Sequence, residues 1–246
     1  MAAPHVPHFE PLGADETFCF KCHPGVPCFT ECCRELDLAL TPYDALRLKN
    51  RLQMHSGRFL EQYVIIEWDP SQIFPVCYLS MVDDGRASCV FVGKQGCTVY
   101  TDRPSSCRAY PMGRGTCQGV DGTLEEKYVL LREPHCQGFV VQEEYAPSSY
   151  TVDQGLAVYN RFNDALLPLV QHRRIKEGFR PSRKQLDNYI LALYNPDAFR
   201  QEMGDNHIGL HRPLSALELQ ALAGDDEQLL LLGIRWLVQE FFNESI

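Results

Sequence analysis

Cys19, Cys22, Cys28, Cys32 and Cys33 fall within one short stretch near the start of this chain, and Cys89, Cys97 and Cys107 form a second group downstream. Cys136 follows, beside His135. Zinc and iron–sulfur clusters both favour thiolate donors, and the Cys19-x-x-Cys22 spacing is the tight turn that aims two sulfurs at one ion. The total of 11 cysteines is odd, which a fully paired disulfide framework cannot accommodate. Metal ligation is the chemistry these residues point to, with zinc and iron–sulfur both open.

The adjacent pair Cys32-Cys33 constrains the arrangement. Neighbouring Cα atoms lie about 3.8 Å apart, and in a strand or helix their side chains diverge. Such a pair gives one sulfur to each of two neighbouring sites, or to different irons of a polynuclear cluster; alternatively, one of the two is a small buried core residue. A split pair and surplus thiols suit polynuclear iron better than zinc. His23 beside Cys22 and His135 beside Cys136 either add imidazole donors or are incidental neighbours.

Composition narrows the setting. Over 246 residues, 45% are hydrophobic and 22% charged, which is ordinary for a soluble globular protein. No apolar run approaches the roughly 18 residues that a membrane-spanning helix needs. The segment up to Gly13 lacks the basic end and apolar stretch of a secretory signal, so a cytoplasmic location is expected. In a reducing compartment, clustered thiols bind metal or do redox chemistry more often than they pair. A net charge of −9 argues against nucleic acid and anionic membrane as partners, leaving an unidentified protein partner or substrate. The basic stretch His172-Arg173-Arg174-Ile175-Lys176, with Arg180, Arg183 and Lys184, is the local exception and reads as a solvated helix end and loop.

The elements that must position the cysteines follow from local patterns. Residues 1–17 read as an irregular leader, 18–148 as a cysteine-cluster metal-binding core, and 149–246 as a helical region packed on it. Thr41, Pro42 and Asp44 open a helix, and Ser56 caps a second that runs through Phe59, Leu60, Tyr63 and Val64. Residues 73–82 and 87–92 read as strands across a turn at Asp83-Asp84-Gly85-Arg86, with Lys127 to Leu131 as a third. That small antiparallel sheet would join the two cysteine groups. Thr151 with Gln154, and Ser182 with Gln185, carry the capping-box pattern. Pro168 should kink or end the first of these helices, and Pro196 should stop the second. From Asp225 to Phe242 a last helix is apolar nearly all round and should be buried. The fold class expected is α+β.

Several segments resemble the YkgJ family of cysteine-cluster proteins. They are Phe18 to Cys22, Pro27 to Arg34, Leu40 to Asp44, Cys89 to Val92, Gly96 to Tyr100, Arg103 to Pro111 and His135 to Phe139. The resemblance covers roughly residues 18–170 and implies a zinc- or iron-chelating domain. Its implied ligands are Cys19, Cys22, Cys32, Cys33, Cys89, Cys97, Cys107 and Cys136, with Cys28 a feature of a subgroup whose first block is longer. Cys77, inside a strand pattern, falls outside this signature and reads as core, while Cys117, in a Gly-rich loop, reads as a spare thiol. Arg103 and Arg108 would offset thiolate charge and donate hydrogen bonds to sulfur, or else pair with acids such as Glu31 or Asp102; Tyr100 and Tyr110 would shield the site from water.

Two functions are weighed on this basis. One is a metal or cluster carrier with a redox or structural role. The other, implied by the similarity of some family members to flagellin lysine methylases, is a cluster-dependent protein lysine methyltransferase. Direct support for the second is thin: Gly113-Arg114-Gly115 followed by Gly119 lacks the strand-to-helix context of an adenosylmethionine-binding loop and reads as a turn.

Overall fold

The computed structural model describes residues 8–119 and 123–245. In chain order, β1 (His8–Leu12) and β2 (Phe18–Cys19) precede α1 (Pro42–Arg51), α2 (Ser56–Tyr63), β3 (Val64–Glu67) and β4 (Val76–Leu79). Then come β5 (Met81–Val82), β6 (Ser88–Cys89), β7 (Val92–Gly93), β8 (Gly96–Cys97) and α3 (Ser105–Ala109). These lead to β9 (Met112–Gln118), β10 (Leu124–Arg132), β11 (Glu144–Tyr145), α4 (Pro147–Asp153) and α5 (Ala157–Ala165). The remaining helices are α6 (Leu167–Val170), α7 (Arg173–Lys176), α8 (Arg183–Tyr194), α9 (Pro196–Gly204), α10 (Ala216–Gly224) and α11 (Asp226–Phe242). The architecture is α+β, with small antiparallel sheets and a helical C-terminal region.

Two compact units divide the chain. Residues 1–38 and 80–160 form a cysteine unit, and residues 39–79 and 161–246 form a helical unit. The single linear boundary at 148/149 does not contain this division, because α1, α2, β3 and β4 group with the late helices.

In the cysteine unit a three-stranded antiparallel sheet runs in the order β1-β10-β9. Its outer strand β1 lies in the segment expected to be irregular; Leu12 pairs with Tyr128 and turns into the core. The third strand is real but longer than expected, and its neighbours are β1 and β9. The expected hairpin across Asp83–Arg86 survives only as β5 with β6, where Met81 opposes Cys89. β4 pairs instead with β3, which begins at Val64, so the helix expected through that residue ends one residue earlier. The glycine-rich stretch 113–115 is strand, not turn. Gly113 opposes Val129, and a Cβ there would sit 2.8 Å from the Val129 side chain, so the close approach of β9 and β10 needs glycine. A modest core of Leu12, Phe18, Phe20, Met112, Leu130, Tyr150 and Leu156 lies beneath.

The helical unit follows the sequence patterns more closely. Thr41 Oγ1 accepts the Asp44 N–H at 3.2 Å while Asp44 accepts the Thr41 N–H at 2.9 Å, a full capping box. Ser182 and Gln185 repeat it at the start of α8. His55, rather than Ser56, caps α2 by accepting the Gly57 N–H, and Ser56 donates to Asn195. Pro168 falls in the first turn of α6 after α5 has ended, and Pro196 closes α8 by opening α9. In α11, Asp225 accepts the Gln228 N–H, and Leu229, Ile234, Trp236, Leu237 and Phe241 are buried. A buried Lys49 reaches Asp197 at 3.2 Å and Asp226 at 3.0 Å. The basic stretch is laced with i,i+4 pairs, Arg173 to Glu177 and Arg183 to Asp187, as a solvated helix face would be. Cys77 is fully buried in β4, where burial pushes its thiol up to about 12.

Candidate metal centre

Short segments carry the thiols of the cysteine unit. β2 pairs with β11, setting Cys19 opposite Glu144. The chain then turns tightly, and Lys21 N–H bonds to the Gly138 carbonyl at 2.8 Å, which ties the first cysteine block to the segment around Cys136. A side chain at Gly138 would collide with the Phe20 ring at 2.5 Å, so glycine permits that contact. The same junction brings the Gln137 N–H to Cys28 Sγ at 3.1 Å. A single 3-10 turn, Glu31–Cys33, holds the adjacent cysteines, and Arg34 just beyond it bridges to Ser88, next to Cys89. Cys97 is fixed opposite Val92 by β7 and β8.

The thiols are close enough to act on one another. Burial raises Cys22 to about 11, and Cys32, Cys28 and Cys136 push it the same way by charge repulsion. Cys32 is raised by a hydrogen bond with the Cys33 thiol, then by burial, with Cys33 and Glu133 adding repulsion. The adjacent pair therefore does not diverge as it would in a strand or an α-helix; the 3-10 turn lets the two sulfurs meet. Burial likewise raises Cys89, which senses Cys97 and Cys32, and Cys97, which senses Cys32. Cys136 is raised by burial and by Cys28 while the Tyr110 hydroxyl pulls it down. Thiols of three blocks distant in sequence, Cys22, Cys28, Cys32, Cys33, Cys89, Cys97 and Cys136, therefore lie within electrostatic reach of one another.

Other candidates sit differently. Cys19 lines a cavity of about 270 Å³ with Glu10, Glu16, Phe18, Phe139 and Glu144 among its walls. Cys107 is exposed on α3, with its charge felt by Arg103. Cys117 lies in β9 rather than in a loop, 3.7 Å from a Glu125 carboxylate oxygen. His23 Nδ1 accepts the Gly25 N–H at 3.0 Å, and His135 stands 3.8 Å from Glu133. Glu133 escaped the sequence reading although it lies three residues before Cys136; it acts on both Cys32 and Tyr110.

Arg103 is buried, donates to the Tyr100 carbonyl at 2.8 Å and to Gln154 Oε1 at 2.7 Å, and lies 4.0 Å over the Tyr100 ring. Its charge favours the thiolates of Cys22 and Cys97. Arg108 donates to the carbonyls of Gln154 and Thr101 and lies over Tyr159. Glu31 is paired with Arg34 and Arg86. Tyr100 is 57% exposed and serves as a platform for Arg103, not as a shield. Tyr110 is better placed, its ring edge-on to Phe20.

Among the described residues, no group of three His, Cys, Asp or Glu side chains is arranged to hold a metal ion. The surroundings nevertheless fit a metal held by sulfur. The donors are soft thiols, the type zinc and iron take, and the Tyr110 hydroxyl bonded to Cys136 would donate to that sulfur as a bound thiolate.

Residues 21–137 match the model of the CxxCxxCC family, described as a "putative zinc- or iron-chelating domain". The matched segment spans the thiol blocks from Cys22 to Cys136 and supports a metal-binding role for this domain. No curated protein and no solved structure matches the chain. No helix among the described residues is long and apolar enough to cross a membrane.

Proposed function

We propose, with a CxxCxxCC domain at residues 21–137 as the premise, that this protein holds an iron–sulfur centre or zinc through thiolates of Cys22, Cys28, Cys32, Cys33, Cys89, Cys97 and Cys136. Cys19 and Cys107 are outlying members of the donor set. The observation that carries the reading is the match of residues 21–137 to a zinc- or iron-chelating family model, together with the bonds that tie the Cys22–Cys28 stretch to the segment around Cys136. Bound iron would supply electron transfer and bound zinc a cross-link between the blocks. The chain's part is to hold the sulfurs in reach and to place the Arg103 guanidinium among them. Thiolate is the ligand form, so loading would release the thiol protons. A surplus of thiols around the Cys32–Cys33 pair favours iron over zinc.

Purification without oxygen, followed by metal and acid-labile sulfide analysis, tests this. Iron with sulfide and a broad visible absorbance supports the cluster. Colourless protein with zinc alone ends the preference for iron, and protein that takes up neither metal ends the proposal.

A further inference from the structure

We infer that Gln154, outside the matched segment, is a positioning residue for the proposed metal centre: it fixes Arg103, the buried guanidinium facing the thiols of Cys22 and Cys97, and steadies Arg108 beside it. This rests on the metal-binding reading above. The side chain of Gln154 accepts Arg103 Nη2 at 2.7 Å, and its backbone carbonyl accepts Arg108 Nη1 at 2.7 Å. One residue thereby holds two cations that repel each other. Gln154 is itself fixed as the residue that closes α4, its N–H bonded to the Tyr150 carbonyl at 2.9 Å. Tyr150 in turn donates to the Tyr110 carbonyl at 2.6 Å, which anchors that helix to the segment behind Cys107. The amide side chain also donates to Asp153 at 2.8 Å, so its oxygen is oriented toward Arg103.

The residue type matters as much as its place. Four thiolates on a divalent ion leave a doubly negative centre, and reduced clusters are also anionic, so a nearby guanidinium is useful only while its charge is not cancelled. A neutral amide oxygen holds Arg103 and leaves that charge intact. A carboxylate in the same place would hold it as well and cancel it.

Co(II) titration of the full-length, metal-stripped chain separates geometry from charge. Gln154→Glu keeps an acceptor for Arg103 but loses the donor to Asp153, and Gln154→Ala removes both. We expect Gln154→Glu to bind Co(II) about tenfold to a hundredfold more weakly than the parent, the range seen when outer partners of metal ligands are changed. Its sulfur-to-cobalt charge-transfer bands should also shift, a signature that a merely structural role would not move. On an Arg103→Ala background, Gln154→Glu should add little further loss. Parental affinity and spectrum in Gln154→Glu, with circular dichroism unchanged, would overturn the inference. A parent chain that binds no Co(II) through sulfur would instead overturn the metal reading, and this inference with it.

Discussion

The two units of this chain are stabilised by different means. In the helical unit, Leu48, Leu169, Phe199, Leu229, Leu237 and Val238 are completely shielded from solvent, and Tyr43 stacks on Phe162 with ring centroids 4.2 Å apart. The cysteine unit has a thinner core, and its thiol-bearing strands β2, β6 and β8 are two residues long. Strands that short contribute few ladder hydrogen bonds and little buried area, so something other than apolar packing must hold the blocks together. A bound ion is the natural candidate. The contrast teaches that residue count alone does not decide which part of a protein depends on its cofactor; the ratio of apolar core to connecting loop does.

Chelation should separate the units most sharply. Structural metal contributes roughly 10 kcal/mol in small thiolate domains. Stripping the metal should therefore remove most amide-exchange protection around Glu31–Cys33 and Cys97, while α8 and α11 keep theirs. Equal loss in both units would erase the distinction. Leu237→Ala is the converse experiment: deleting a wholly buried side chain from α11 should cost about 2–5 kcal/mol by denaturant titration. Metal stoichiometry should not change with it. The smallest effect is a slope with pH. Burial alone would raise Asp197 and Asp226, but hydrogen bonds from Ser56, Lys49 and Arg200 outweigh it and hold both below their ordinary value. A carboxylate depressed in the folded state stabilises at pH above the unfolded value of about 3.9, and that contribution disappears as pH falls through the folded value. The helical unit should lose stability in that acid window, and Asp197→Asn should flatten the loss. An unchanged acid slope would show that the Lys49 cluster carries no such contribution.

How much of this was legible depended on which local signal faced a competitor. Thr41 and Ser182 announced their helices because the capping box is a closed set of contacts within four residues. The same pattern at Thr151 and Gln154 misled. Pro147, preset for a first helical turn, starts α4 earlier, so Gln154 closes that helix instead of opening one. Its true partners, Arg103 and Arg108, are some fifty positions away, and no spacing rule reports them. Gly113 and Gly115 misled in the same manner, since a glycine demanded by a neighbouring strand looks like a glycine demanded by a turn. The thiol blocks were readable as a metal signature from residue type alone. Which sulfurs approach one another was not, because short strands and one 3-10 turn set that, and such pieces leave little periodic trace.

The interleaving of the two units has a consequence for synthesis and dissection. The path passes from one to the other at 38/39, 79/80 and 160/161, so neither half can be excised as a continuous fragment. A nascent chain has all its clustered sulfurs outside the ribosome well before α11 is translated, whereas the helical half must await its last long segment. Ion capture would then precede completion of the hydrophobic half, and truncations ahead of Asp226 would yield a loaded sulfur half joined to an unfinished companion.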